Sequence, residues 1–420
     1  MGSSEGLAVA DAAPPSAIPL RRWQLMALLG ALSMFAPLST DMYLPALPSL
    51  AHSLHASASA VQLTLTASLI GLAVGQLVIG PLSDAFGRRR PVLLGLIAYT
   101  ASSLGCALCG DVWSLCAMRL VQGAAGAAGI VVARAIVRDL FDGIEAARFY
   151  SRLVIVFGLA PILAPLIGAQ LLHVTDWRGI FVALGAIGAV LAVVSWRALA
   201  ETLAPAARHR GGLTATLRVL SVLVRNGPFA GLMAVYGLSF GAIFAYIAGS
   251  PFVLENVFGL SPQLFAVIFA VNAVALVGAS QYGGRVVARV GARRLSGVGL
   301  YIGTLCSLAL LAGVLAHAGL GLVLPCFFAL MASYGIVSPN LTTLAMTPFP
   351  RVAGSASALL GLTQFSVGAA VAPLVGVAGT HSAVPTAVVI ATTLTVALGI
   401  WRSGVMRAAP RGEEALDGGG

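Results

Sequence analysis

Long apolar runs and short polar breaks alternate from one end of this chain to the other. Runs of about 18 to 25 residues fall near 23–46, 60–82, 91–109, 113–137, 147–172, 177–199, 228–250, 263–287, 293–315, 320–345, 352–378 and 383–403. A helix of that length crosses the roughly 30 Å of hydrocarbon in a bilayer. The pattern predicts an all-α membrane protein with twelve transmembrane helices. Most breaks are short connections. The exception, 201–227, passes from Glu201 through Pro205, Arg208 and Arg210 to Arg225 and Gly227 without a wide apolar face, and reads as a linker between two six-helix bundles. The expected organisation is a tail at 1–22, a bundle at 23–200, the linker at 201–227, a second bundle at 228–403 and a tail at 404–420.

The two bundles echo each other. Gly80-Pro-Leu-Ser-Asp84-Ala-Phe-Gly87-Arg88-Arg89-Arg90, between the second and third segments, returns 204 residues later as Gly284-Arg-Val-Val-Ala288-Arg-Val-Gly291-Ala-Arg-Arg294. Gly129-Ile-Val131 returns after 206 residues as Gly335-Ile-Val337, and Ala164-Pro165-Leu166 with Gly168 after 208 as Ala372-Pro373-Leu374 with Gly376. Matches in order with slowly drifting offsets fit an old duplication, the plan of secondary transporters whose pseudo-symmetric bundles rock about a central cavity.

Composition agrees with the pattern. With 59% hydrophobic and 9% charged residues and a mean hydropathy of +0.96, the chain lacks the polar inventory for a water-soluble surface. All 24 basic residues are Arg. Every one except Arg119 and Arg178 lies in or beside the tails, the linker and the connections after even-numbered segments, which predicts both termini in the cytoplasm. The net charge of +10 thus reads as a topology signal, with no call for nucleic acid. Lys is absent, so no phosphate-binding loop of the Gly-x-x-x-x-Gly-Lys type exists to couple ATP.

Asp41 is the one carboxylate well inside the first segment, and Arg119 in the fourth is its one obvious counter-ion. At 1.5 Å per residue both fall in the outer half of the bilayer, where ionisable groups are costly and mark function. Burial disfavours a charged carboxyl and a nearby guanidinium favours it, so moving Arg119 relative to Asp41 would switch proton affinity. Pro37 and Pro45 flank the Asp and open the helix around it. In the loop phrase, Gly87 permits a tight turn, and Asp84 and Asp139 are placed to share Arg88 as a gate latch. Candidate cavity-lining groups are Tyr43, Gln62, Phe244, Tyr246, Asn272, Asn340, Gln364 and Phe365, a mixture of aromatics and amides suited to an amphiphilic drug-sized ligand. Pro161 and Pro165 should bend the fifth helix. The five cysteines read as packing residues, His52 and His55 do not make a metal site, and no nucleophile-base constellation argues for an enzyme. No cofactor is expected beyond the proton as coupling ion.

With these residues in view, the chain resembles the major facilitator superfamily, and within it the drug:proton antiporters of the bicyclomycin/chloramphenicol-resistance (Bcr/CflA) type. Gly80-x-x-x-Asp84-x-x-Gly87-Arg88-Arg89 is similar to the superfamily's loop motif, departing at Ala85. Arg119-Leu-Val-Gln122-Gly123 is similar to the fourth-helix motif whose Arg is linked to proton transfer, and Ser39-Thr-Asp41-Met-Tyr43-Leu-Pro45 to the first-helix phrase of the Bcr/CflA type. Ala160-Pro161-Ile-Leu-Ala164-Pro165-Leu-Ile-Gly168 resembles the antiporter motif of the fifth helix. The resemblance implies a monomeric exporter of amphiphilic drugs in the bacterial inner membrane, surrounded by lipid. An importer or metabolite exporter of the same fold is the alternative.

Overall fold

The computed structural model describes residues 21–141, 143–204, 208, 221–349 and 352–403. The tails at 1–20 and 404–420 and most of the linker lie outside the described residues.

Among the described residues twelve long helices follow one another: α1 (Arg22–Asp41), α2 (Ala58–Phe86), α3 (Arg89–Leu108), α4 (Val112–Leu140), α5 (Gly143–Leu171), α6 (Trp177–Ala198), α7 (Gly227–Pro251), α8 (Pro262–Val290), α9 (Ala292–Leu315), α10 (Leu320–Met346), α11 (Ala353–Val371) and α12 (Val384–Arg402). Polar residues in the breaks start several of them. Side chains of Ser57, Asp111, Asp176, Asn226 and Ser261 accept bonds from the first free amides of α2, α4, α6, α7 and α8. The helices α2 and α8 end at the repeated loop phrase, where Gly87 and Gly291 take φ of 90° and 86°.

Ten of the described spans are long and apolar enough to cross a membrane, and α1 with its continuation makes an eleventh, bent by 45° ahead of Pro37. The twelfth, α5, is apolar over Gly158–Leu171; Glu145 and Arg152 make its beginning polar. It runs as one helix through Pro161 and Pro165. The first segment does not end at 46 as expected. It breaks after Asp41, makes a 3-10 turn over Leu44–Ala46 and resumes as a short helix, Leu47–Ser53. Pro45 and Pro48 sit in the first turns of these two pieces, where a missing amide costs nothing. Likewise α11 tightens into a 3-10 turn, Ala372–Gly376, at Pro373.

Six helices form each bundle, and α4 is central to the first, touching α1, α2 and α3. Its small residues explain how. A Cβ on Gly123 would strike the Ser68 carbonyl of α2, one on Gly129 the Leu32 carbonyl of α1, while Gly126 faces Tyr99 of α3. Gly71 and Gly75 return the contact from α2, against the carbonyls of Leu120 and Ala124. Close backbone approach of this kind replaces the hydrophobic drive that lipid does not supply. The repeat is not obeyed contact by contact, for Gly335 seats α10 on Leu276 of α8, whereas Gly129 faces α1.

The bundles meet along α2 with α11 and along α5 with α8. At one end they are bonded together: Ser59 Oγ donates to the Pro373 carbonyl at 2.9 Å, Thr66 Oγ1 to Ala369 at 2.7 Å, Gln62 Nε2 to Ala248 at 3.1 Å and Gln263 Nε2 to Ala169 at 3.2 Å. At the other end, which carries the arginine-rich loops, they part around a cavity of about 360 Å³.

Candidate functional site

Arg119 is fully buried in α4, and its neighbours are polar groups without charge. Its Nη1 donates to the Ser39 hydroxyl at 3.0 Å, to the Ser39 carbonyl at 3.2 Å and to Gln122 Oε1 at 2.6 Å. Gln122 passes the chain on to Ser103 Oγ at 2.7 Å. The guanidinium carbon lies 5.1 Å from the centre of the Tyr43 ring and 5.7 Å from that of Phe181, an electron-rich bed for a cation. Two of its donors, Nε and Nη2, have no partner.

Asp41 is not that partner. The helices α1 and α4 do pack together, yet no ion pair joins Asp41 to Arg119 among the described residues. Residues two apart on a helix point to nearly opposite sides. Ser39 holds the α4 side of α1, so Asp41, two residues on, is turned away from Arg119. The carboxylate is 6% exposed and lies within electrostatic range of Tyr246 on α7. Asn272 Nδ2 of α8 donates to the Tyr246 hydroxyl at 2.8 Å. A buried carboxyl at the end of α1 thus faces the second bundle.

The loop between α2 and α3 gathers its charges as the sequence suggested, with two additions. Arg88 donates through Nε to Asp139 Oδ2 at 2.8 Å and through Nη1 to Asp84 Oδ1 and Ser83 Oγ, both at 2.6 Å. Burial opposes the Arg88 charge, but the bonds and charges of Asp139 and Asp84 outweigh it and hold its pKa above the ordinary value. Glu201 and Thr202, just past α6, are the residues that sequence reasoning missed. Glu201 Oε1 accepts from the Arg88 amide at 2.7 Å and Oε2 from the Arg89 amide at 3.3 Å; Thr202 Oγ1 donates to Asp139 Oδ2 at 3.0 Å. Arg89 reaches the Trp196 carbonyl at 2.6 Å. A lone carboxylate directly after an apolar segment was the available signal. The cluster belongs wholly to the first bundle and the start of the linker.

Gly80, Ser83, Asp84, Arg88, Arg134 and Arg138 line the cavity from the first bundle; Ser357, Gly361 and Phe365 line it from α11. Of the eight predicted lining groups only Phe365 is there. Tyr43, Gln62, Phe244, Tyr246, Asn272 and Asn340 are buried in packing, with Tyr43 bonded to Thr64 and Asn340 to the Ile336 carbonyl. Gln364 accepts from the Tyr236 hydroxyl at 2.7 Å. In α5, Gly168 lies where a Cβ would strike the Met42 carbonyl, so it seats α5 on the chain beside Asp41.

Comparison with known proteins agrees with this architecture. Residues 29–373 match the Major Facilitator Superfamily. An uncharacterized MFS-type transporter, YdgK of Bacillus subtilis, is 38% identical over 89% of this chain and 94% of its own length. A bicyclomycin resistance protein homolog of Haemophilus influenzae is 32% identical over 85% and 90%. The inward-facing, unoccupied crystal structure of a bacterial homolog of the human lysosomal transporter Spinster superposes with a TM-score of 0.74 at 16% identity, covering 92% of this chain and 97% of that one. The chain belongs to the major facilitator superfamily, in its bicyclomycin/chloramphenicol-resistance branch, and is an integral membrane transporter.

Proposed function

We propose that this chain exports drug-like amphiphiles across the bacterial cytoplasmic membrane in exchange for protons, with Asp41 as the group that carries the proton. The observation that carries the reading is the burial of Asp41 without an ion pair at the meeting of the bundles, turned away from a guanidinium with two unused donors. A neutral acid suits that place when the bundles part at the arginine-rich end. Rotation of α1 toward α4 would bring the carboxyl to Arg119 and favour release of the proton. The arginine-rich end, where the cavity opens, is the cytoplasmic one in this reading, as the charge asymmetry supports. One proton crossing 100 mV yields about 2.3 kcal/mol, enough at 1.4 kcal/mol per decade for roughly a fiftyfold gradient. The resistance named for the relative supports an antibiotic as cargo.

The test is proton movement in liposomes carrying the purified protein on addition of bicyclomycin and a panel of uncharged and cationic drugs. The expected result is drug-triggered proton release that vanishes in Asp41→Asn. Release surviving in that variant removes Asp41 from the role. Protons moved only by a sugar or metabolite would make the chain an importer.

A further inference from the structure

The two copies of the loop phrase are both rich in arginine and solved differently. In the first, a carboxylate from Glu201 sits on the opening amides of α3, and Asp84 and Asp139 bind Arg88. In the second, Ala288 replaces the Asp, the first turn of α9 carries no acid and its start no side-chain cap. Arg285 and Arg289, one turn apart at the end of α8, and Arg293 and Arg294, in the first turn of α9, are all exposed. Among the described residues none of the four side chains has a salt bridge or hydrogen bond. Two of them stand at the positive end of a helix dipole, where a cation is disfavoured unless an anion joins it.

We infer that this α8–α9 loop binds the phosphate headgroup of an anionic phospholipid, which supplies the countercharge that Glu201, Asp84 and Asp139 supply to the first copy. Lipid is favoured over a soluble phosphate by what surrounds the cluster. Tyr282 is 61% exposed, Val290 38%, Val298 51% and Tyr301 46%. A phosphate held by the four guanidiniums would place its acyl chains along these apolar groups, and Tyr301 with Arg402 stacked 5.5 Å from its ring marks the headgroup level. The first loop, already neutralised by its own carboxylates, has less need of such a ligand. The inference does not depend on proton coupling or on the cargo.

The full-length protein is released from nanodiscs containing equal phosphatidylglycerol and phosphatidylcholine, and retained lipid is counted by native mass spectrometry. The expected result is roughly tenfold enrichment of phosphatidylglycerol, lost in R285Q/R289Q/R293Q/R294Q, kept when the four are replaced by Lys, and undiminished by added inorganic phosphate. Where the quadruple Gln variant fails to insert, R293Q/R294Q is read in its place, with a partial loss expected. No enrichment in the native protein, full enrichment in the Gln variants, or displacement by inorganic phosphate would each overturn the assignment.

Discussion

Arg119 holds Ser39 twice, through the hydroxyl at 3.0 Å and the carbonyl at 3.2 Å, and thereby fixes the face that α1 turns to α4. Removing the hydroxyl in Ser39→Ala should lower stability by about 1.5–3 kcal/mol, the range for a hydrogen bond to a charged group. Arg119→Lys should be worse for transport, since a lysine ammonium has no counterpart to the free Nε and Nη2 of the guanidinium fork, which Asp41 would take up on rotation of α1. Thermal unfolding in detergent and drug uptake by everted vesicles would read the two effects separately. Native-like transport in Arg119→Lys would show that the fork geometry is dispensable.

Helix contacts in the first bundle give a sharper contrast, because two glycines on the same helix predict opposite signs. A Cβ at Gly71 would meet the Leu120 carbonyl and the Ala124 amide of α4, with backbone on both sides and no side chain to move. Gly71→Ala should cost about 1–3 kcal/mol. Gly80 has nothing within 4 Å, so Gly80→Ala should stabilise α2 by about 0.5–1 kcal/mol through backbone entropy alone. Melting temperatures of the two variants should move in opposite directions.

Much of this was legible in the chain. Twelve apolar runs and a duplicated loop gave the helices and the two bundles, because in lipid every spanning segment must be long, apolar and internally bonded. Asp84, Arg88 and Asp139 were legible as a cluster because charged groups at a membrane surface have few alternatives to one another. The separation of Asp41 from Arg119 was not, since it depends on rotation about α1, and a two-residue step reverses a helix face. The bond between Asn272 and Tyr246 was hidden for a related reason: an amide and a phenol in different helices look like cavity groups until packing joins them.

The Gly87 turn and the Glu201 carboxylate occupy each other's space. Gly87 has φ of 90°, and a Cβ there would fall on the carboxylate of Glu201. Gly87→Ala should therefore incur about 1–3 kcal/mol of positive-φ backbone strain and also displace the acceptor from the Arg88 and Arg89 amides. Glu201→Ala loses the acceptor without the strain. Because the two losses share that acceptor, the double variant should be less destabilised than the sum by about 1 kcal/mol. Strict additivity in a thermal double-mutant cycle would mean the contact carries no energy.

Asp111 sets an acid limit at the start of α4. The Ser114 amide and hydroxyl, with the Trp113 amide, bond its carboxylate and hold its pKa below the usual 3.8. A lowered native pKa contributes stability above the unfolded value that is lost as pH falls through the native one. Asp111→Asn keeps the cap and removes the titration. The native chain's margin over that variant should be constant near neutrality and shrink below about pH 4. Unfolding midpoints taken along an acid series would reveal it, and parallel curves for the two proteins would exclude the role.

The bonded end of the molecule should be the easiest to bias. Thr66 and Ser59 of α2 donate across to α11, and Gln263 of α8 donates across to α5, so each seam between the bundles is fastened by side chains on backbone carbonyls. Such bonds are worth about 1 kcal/mol each, and each one lost should shift a two-state balance roughly fivefold. Thr66→Val keeps the shape and removes the donor; Gln263→Ala frees the other seam. Spin labels at His52 and His381, both exposed at this end, would report separation of the bundles. The double variant should gain a longer-distance population by a factor near the product of the single ones, because the seams lie on opposite sides of the interface and share no partner. An unchanged distance distribution would place the energy of closure in the apolar packing of α2 on α11 and not in these bonds.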